Sequence, residues 1–119
     1  MNLQNLPFLP NIAVGGREKF CPDELLMLVA DVNYTHIHLR DGKMVIVAKT
    51  LKELESRLCQ YKFFRPHKSF LINLQCVAAY NCSPEWSIKM ENDAEIFLSR
   101  RKRTAFQRLM IANKNFVTA

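Results

Sequence analysis

Glycine is scarce in this chain. Its three glycines among 119 residues, Gly15, Gly16 and Gly42, supply no glycine-rich oxyanion loop. Cysteine is nearly as rare: Cys21, Cys59, Cys76 and Cys82 form no Cys-x-x-Cys pair and no zinc-ribbon spacing. The four read as small buried hydrophobes kept reduced in a cytoplasm, not as a disulfide framework. No stretch approaches the roughly 18 to 20 consecutive apolar residues that would cross a bilayer. The opening MNLQNLPFLP has no basic region, and two prolines interrupt what a signal peptide would need as an unbroken apolar core. No internal repeat and no βαβ alternation is present, so a nucleotide-binding parallel sheet is excluded. These absences leave a soluble, unexported, cytoplasmic protein with no membrane partner and no cofactor.

What is present is an ordinary globular balance, 49% hydrophobic and 24% charged, in a length that suits one domain with one core. The net charge of +6 is unevenly placed. Residues 1–60 carry seven lysines or arginines and seven acids, netting zero; residues 61–119 carry ten and four, netting the whole +6. Part of that excess is a single run, RRKR at 100–103. Such asymmetry points to a polyanionic partner, with a solvated, solubilising face as the plain alternative.

Residues 1–11 read as an N-terminal tail, because Pro7 and Pro10 lack a donor and resist regular pairing, although Leu6, Phe8 and Leu9 have the character to dock on the domain. The domain itself is expected over 12–113, with a C-terminal tail at 114–119. IAV at 12–14 is a short strand before Gly15-Gly16, and ELLMLVADV at 24–32 is an apolar run of strand length. YTHIHLR then alternates, with Thr35, Ile37 and Leu39 toward the core and Tyr34, His36, His38 and Arg40 away from it. Asp41-Gly42 ahead of KMVIVAK is the strongest short hairpin signal, predicting positive φ at both turn positions.

A helix follows. Thr50 and Glu53 have capping-box spacing; Leu51, Leu54 and Leu58 form an apolar stripe, leaving Lys52, Glu53 and Glu55 outward. FFR at 63–65 and SFLINL at 69–74 are strands flanking PHK, which places His67 and Lys68 at the tip between them. That tip explains how a run as apolar as FRPHKSFLIN tolerates three basic residues, since burying them unpaired would cost several kcal/mol. CVAAY, WSIKM and EIFL are three more short strands; Trp86, Ile88 and Met90 share a face, with Phe97 able to pack in the same layer. Ser99 is placed to cap a final helix whose stripe is Phe106, Leu109 and Met110. The sum is a mostly β, antiparallel fold with two short helices.

SRRKR is an odd way to begin that helix. Cations there oppose the macrodipole, at roughly 0.3 to 1 kcal/mol each when exposed at low salt. A phosphate would reverse the sign by meeting free N–H groups and guanidinium groups together. Arginines splayed into solvent are the plain alternative.

Taken in order, NYTHIHLRDGK, TLKELESRL, FFRPHKSFLIN and LSRRKRTAFQRL resemble the LytTR DNA-binding domain, over residues 12 to about 110. The most specific pieces are the Leu-Lys-Glu-Leu helix start, the Phe-x-Arg-x-His-x-Ser-Phe-x-x-Asn stretch and the Ser-Arg-Arg ending. The resemblance implies elongated antiparallel sheets packed together, and a bacterial transcription regulator that meets double-stranded DNA through loops in successive grooves. It also implies the contacts. The residue after the motif histidine, here Lys68, reads a base in the major groove; Arg101 or its neighbour Arg100 is a second contact; Tyr34 with Asn33 is a third. Basic residues of the same segments, His67, Lys102 and Arg103, are added to the expected DNA-binding set, with His67 bonding backbone within its turn or touching a phosphate. Lysine at 68 is a compact charge without a planar fork, which favours guanine or phosphate over bidentate adenine. Pairing on repeated half-sites is implied; with no receiver domain ahead of the match, constitutive action, control by a separate regulatory protein partner and tuning through the N-terminal arm all stay open.

Other chemistry is poorly supported. His36 and His38 share a strand face without a third metal ligand, and His67 near Ser69 has no carboxylate close in sequence to orient it. Neither metal binding nor catalysis is expected. Two non-duplex readings stay open: an RNA or single-strand binder, weakened because Phe63, Phe64, Phe70 and Phe97 suit core positions, and a protein-interaction module with a basic face.

Overall fold

The computed structural model describes residues 12–15, 18–82 and 84–112. Both expected tails, the docking of Leu6, Phe8 and Leu9, and the boundary at 113 lie outside the described residues. Ten strands are present among those described: β1 Ile12–Gly15, β2 Glu18–Phe20, β3 Leu25–Asp31, β4 Tyr34–Leu39, β5 Met44–Val47, β6 Phe63–His67, β7 Phe70–Asn73, β8 Val77–Asn81, β9 Ser87–Met90 and β10 Glu95–Phe97. Two helices join them, α1 Leu51–Arg57 and α2 Arg103–Ala112. Every strand pairing is antiparallel, in a five-stranded sheet ordered β5-β4-β3-β7-β6, a three-stranded sheet ordered β10-β9-β8, and a β1-β2 pair. The mostly β expectation is met.

The five-stranded sheet is the middle layer. Alternation along its strands sends Leu28, Ile37, Leu39, Val47 and Leu71 to one face, where they bury against Leu51, Leu54 and Leu58 of α1. The other face, with Met27, Phe64 and Ile72, packs on Ile88, Met90 and Ile96 of the small sheet and Phe106 and Met110 of α2. Burying each such side chain stabilises the fold by about 1.5–3 kcal/mol, so both helices are held mainly by tertiary packing.

Local details correct several expectations. The β4–β5 connection is a three-residue loop, not a two-residue turn: Gly42 N–H donates to Leu39 O (3.0 Å), Leu39 N–H donates to Lys43 O (2.9 Å), and Gly42 alone in the loop has positive φ, at 95°. Asp41 instead accepts from Lys43 N–H (2.9 Å), an Asx turn. At α1, Thr50 Oγ1 accepts from Glu53 N–H (3.2 Å), but the Glu53 carboxylate lies with Lys49 (3.3 Å) and Arg57 (3.7 Å), so half of the capping box forms. Phe97 is 52% exposed, whereas Ile96 and Leu98 are buried, because Ile96 pairs with Ile88 and Phe97 with Ser87. A shift of one residue exchanges the faces of a strand, and apolar residues at 96, 97 and 98 gave no local signal for the register. Of the cysteines only Cys76 is fully buried; Cys59 is exposed.

Candidate nucleic-acid interface

The turn between β6 and β7 is tighter than the sequence implies. His67 is the last residue of β6 and pairs with Phe70, leaving Lys68 and Ser69 as the tip. Between the Phe64–Ile72 and His67–Phe70 pairs, Arg65 and Pro66 face Leu71 alone. This is a β-bulge, a place where proline's missing donor does no harm to a ladder. The freed Pro66 carbonyl accepts from Ser99 N–H (2.9 Å), which draws the start of the basic run against the open edge of the sheet.

Each basic side chain in this segment has a distinct fate. Arg65 forks: Nη1 meets Glu55 Oε1 on α1 (2.9 Å) and Nη2 donates to the Lys68 carbonyl (2.8 Å). His67 Nδ1 accepts from Ser69 N–H (3.1 Å), which leaves Nε2 as the ring nitrogen for an outside partner. Its ring also meets Phe70 edge-on at 5.9 Å. Lys68 lines an open groove of about 400 Å³ together with Glu55, Arg65, His67, Ser99, Arg101 and Lys102. Asn73 is spent internally, donating to Leu25 O (2.9 Å) and accepting from Gln75 N–H (2.9 Å).

The RRKR run does not begin α2 as expected. Arg100–Lys102 form a 3₁₀ turn, and α2 starts at Arg103. Ser99 occupies the cap position through its carbonyl, which accepts from Lys102 N–H (3.0 Å), without a hydroxyl cap. The four cations divide into two pairs. Arg100 and Arg101 are exposed. Lys102 lies 5.8 Å from the Phe64 ring centre, and the Arg103 guanidinium lies 5.4 Å from that of Trp86. Aromatic faces attract cations, so these two are drawn back onto the domain.

The third segment is the β3–β4 turn at Val32 and Asn33. Asp31 pairs with Tyr34 across it, so this is a hairpin tip. Val32 is 90% exposed at φ 56°, a conformation strained for a β-branched residue. Asn33 is exposed, and so is Tyr34, at 52%.

Strand order brings the three segments to one end of the molecule. Val29 pairs with Phe70 and His36, and Ala30 N–H donates to Ser69 O (2.9 Å), so the Val32–Asn33 and Lys68–Ser69 tips are neighbours. Two strand spacings put the hairpin midlines about 10 Å apart. The 100–102 turn sits beyond the β6 edge, next to Pro66. In file, then, come Asn33 and Tyr34, next His67 and Lys68, and finally Arg100 and Arg101. Asp31, the nearby acid, is engaged by His36 Nε2 (2.9 Å).

Sequence reasoning missed Glu55, Phe64 and Trp86 as supports of this surface. Their partners lie 10 to 38 residues away, and no local pattern announces such pairs. Among the described residues no group of three His, Cys, Asp or Glu side chains is placed to hold a metal ion, and no helix is long and apolar enough to cross a membrane.

A sheet scaffold presenting cationic turns at one end defines a class of nucleic-acid-binding domain, and comparison with known proteins specifies it. The model of the LytTr DNA-binding domain matches residues 16–111, so the chain belongs to the LytTR family of DNA-binding domains. A solved structure, described as the LytTr DNA-binding domain of a methyl-accepting/DNA response regulator from Bacillus cereus, superposes with a TM-score of 0.71. It covers 85% of this chain and 96% of that one at 18% identity, which speaks for the fold. A sensory transduction protein, LytT, from Oceanobacillus iheyensis is 30% identical over 56 residues. That match takes in 47% of this chain and 23% of LytT, so the chain matches well under two thirds of the relative's length.

Proposed function

We propose that this chain binds double-stranded DNA sequence-specifically, as part of a bacterial transcriptional regulator acting in the cytoplasm. Lys68 enters a central groove, and Asn33 with Tyr34 on one side and Arg100 with Arg101 on the other enter the grooves flanking it. His67 through Nε2, Lys102 and Arg103 contact phosphates. The observation that carries the reading is the shared groove of Lys68 and Arg101 at the end where the Val32–Asn33 tip also emerges. Separate turns of a packed sheet hold such groups in fixed relation, which a specific contact requires. Most hydrogen bonds to DNA go to phosphates and set the register, while a few groups at base edges set the sequence.

The test is selection from a random duplex library followed by titration of the selected site. We expect a consensus with a central block governed by Lys68 and two outer blocks. With six to ten phosphate contacts, affinity falls roughly 10³- to 10⁵-fold between 50 and 200 mM salt. Failure to enrich any duplex, or a flat salt response, overturns the proposal. Phe97 is the observation favouring a single-strand reading, because it is a half-exposed ring on the strand leading into the basic run. Matched single-stranded DNA and RNA in the same titration decide between the two, and we expect the duplex to win.

A further inference from the structure

We propose that Glu55 is a positioning residue: through Arg65 it fixes the tip that carries Lys68, and so it sets the sequence preference of the domain. The inference rests on the duplex-binding reading above.

Glu55 is an acid in a groove otherwise lined by Ser99 and the basic residues Arg65, His67, Lys68, Arg101 and Lys102. In a surface meant for a polyanion, a carboxylate lowers affinity for every sequence. Its presence therefore calls for a role other than attraction. The geometry supplies one. Glu55 Oε1 holds Arg65 Nη1 at 2.9 Å, and the same guanidinium gives Nη2 to the carbonyl of Lys68 at 2.8 Å. The planar guanidinium ties α1 to the backbone of the very residue that reaches into the groove.

The tip has other ties as well: Ala30 N–H of β3 donates to Ser69 O, and further bonds come from within the tip and from the start of the basic run. Ser69 N–H donates to His67 Nδ1, and Ser99 N–H donates to Pro66 O. The Glu55–Arg65 link is the tie from the tip to α1. That helix is itself tied to the first hairpin: Thr35 Oγ1 donates to Lys49 O at 2.6 Å, just ahead of the Thr50 cap. By this route α1 sets the position of the Lys68 tip relative to the strand that begins with Tyr34. Arg65 itself is consumed as a clamp, and its side chain is 21% exposed.

Charge and geometry make opposite predictions, which gives the test. The full chain and its Glu55→Ala, Glu55→Gln, Lys68→Ala and Glu55→Ala/Lys68→Ala variants are titrated against the selected duplex and a scrambled duplex of equal length. Glutamine keeps an oxygen for Arg65 but loses the charge. We expect Glu55→Ala to lower the ratio of specific to scrambled affinity about tenfold, within the range for one lost base contact. Scrambled-duplex affinity stays level or rises. Glu55→Gln keeps the ratio within about twofold of the unmodified chain, and Glu55→Ala adds less than about twofold to the loss already caused by Lys68→Ala, the limit for two groups acting as one. An unchanged ratio in Glu55→Ala overturns the clamp, as does an equal loss in Glu55→Gln or a double variant whose losses multiply. A wild-type chain that prefers no duplex overturns the DNA reading itself; a specific wild type with an indifferent Glu55→Ala overturns only the clamp. Because the Glu55 side chain is 42% exposed and its carboxylate meets Arg65, the variants are expected to keep the fold, checked by circular dichroism.

Discussion

The two cationic segments, 65–68 and 100–103, solve one problem by different physics. In the first, Arg65 is fixed by an ion pair with Glu55 and a hydrogen bond to Lys68 O, which leaves Lys68 to project. In the second, Lys102 and Arg103 rest on the rings of Phe64 and Trp86, leaving Arg100 and Arg101 exposed. A fork of directed bonds fixes a position closely. A ring face fixes a distance but tolerates sliding. The difference teaches that a basic run cannot be treated as one patch: in each segment some charges are held against the domain while others stay exposed. The first segment is built for fixed geometry, the second for adjustable reach.

Phe64 serves both segments, and its loss breaks the comparison altogether. It precedes Arg65 on β6, lies under Lys102 and packs against Phe106 with ring centres 5.7 Å apart. Phe64→Ala is expected to destabilise the domain by about 3–5 kcal/mol in urea unfolding, through the lost apolar contacts and the cavity left behind. A cost under 1 kcal/mol would mean that the two segments do not share this support.

Lys68→Ala and Arg101→Ala sharpen the comparison next, at about 1–3 kcal/mol each on the selected duplex. We expect Lys68→Ala to relax a narrow central position and Arg101→Ala a broader outer one, read by repeating the selection with each variant. Uniform weakening on all sequences would demote either residue to a phosphate contact.

A smaller effect separates both segments from the core. Burial, the leading cause, pushes the Cys76 thiol from an ordinary value near 9 up to about 12. Between those values the unfolded chain loses this proton and the folded chain keeps it. Stability therefore falls as pH rises from about 9, by at most about 1.4 kcal/mol per pH unit from this group. Unfolding at pH 8 to 10 measures the slope, and Cys76→Ala is expected to flatten it.

The smallest effect concerns Trp86. Trp86→Leu keeps an apolar side chain but removes the ring face, and we expect about 0.5–1 kcal/mol weaker binding through Arg103, without a changed consensus. Arg103→Ala should weaken binding likewise. A changed consensus in either would place Arg103 at a base.

Much of the fold was legible in the chain, and particular residues show why. Thr35, Ile37 and Leu39 alternate with Tyr34, His36 and His38, and the burial of β4 follows that alternation. Leu51, Leu54 and Leu58 recur at helical spacing and are all buried. Thr50 caps α1 as its spacing to Glu53 implies. The failures are equally particular. Phe97 faces outward because its register with Ser87 is fixed across the sheet, not along β10. Val32-Asn33 lacks glycine, yet makes a tight turn because both flanking strands are held by their other partners.

The sequence by itself determined most of the element types, the alternation of β4, the apolar stripe of α1, the cationic tip at Lys68 and the family, since each rests on neighbours a few residues apart. Only the tertiary structure decided which cations are held and which are released, that Glu55 and Trp86 do part of the holding, and in what order the three turns stand. Those outcomes depend on contacts between residues far apart in the chain, such as Glu55 with Arg65 and Trp86 with Arg103, whose energies exist only once the sheets have closed on one another.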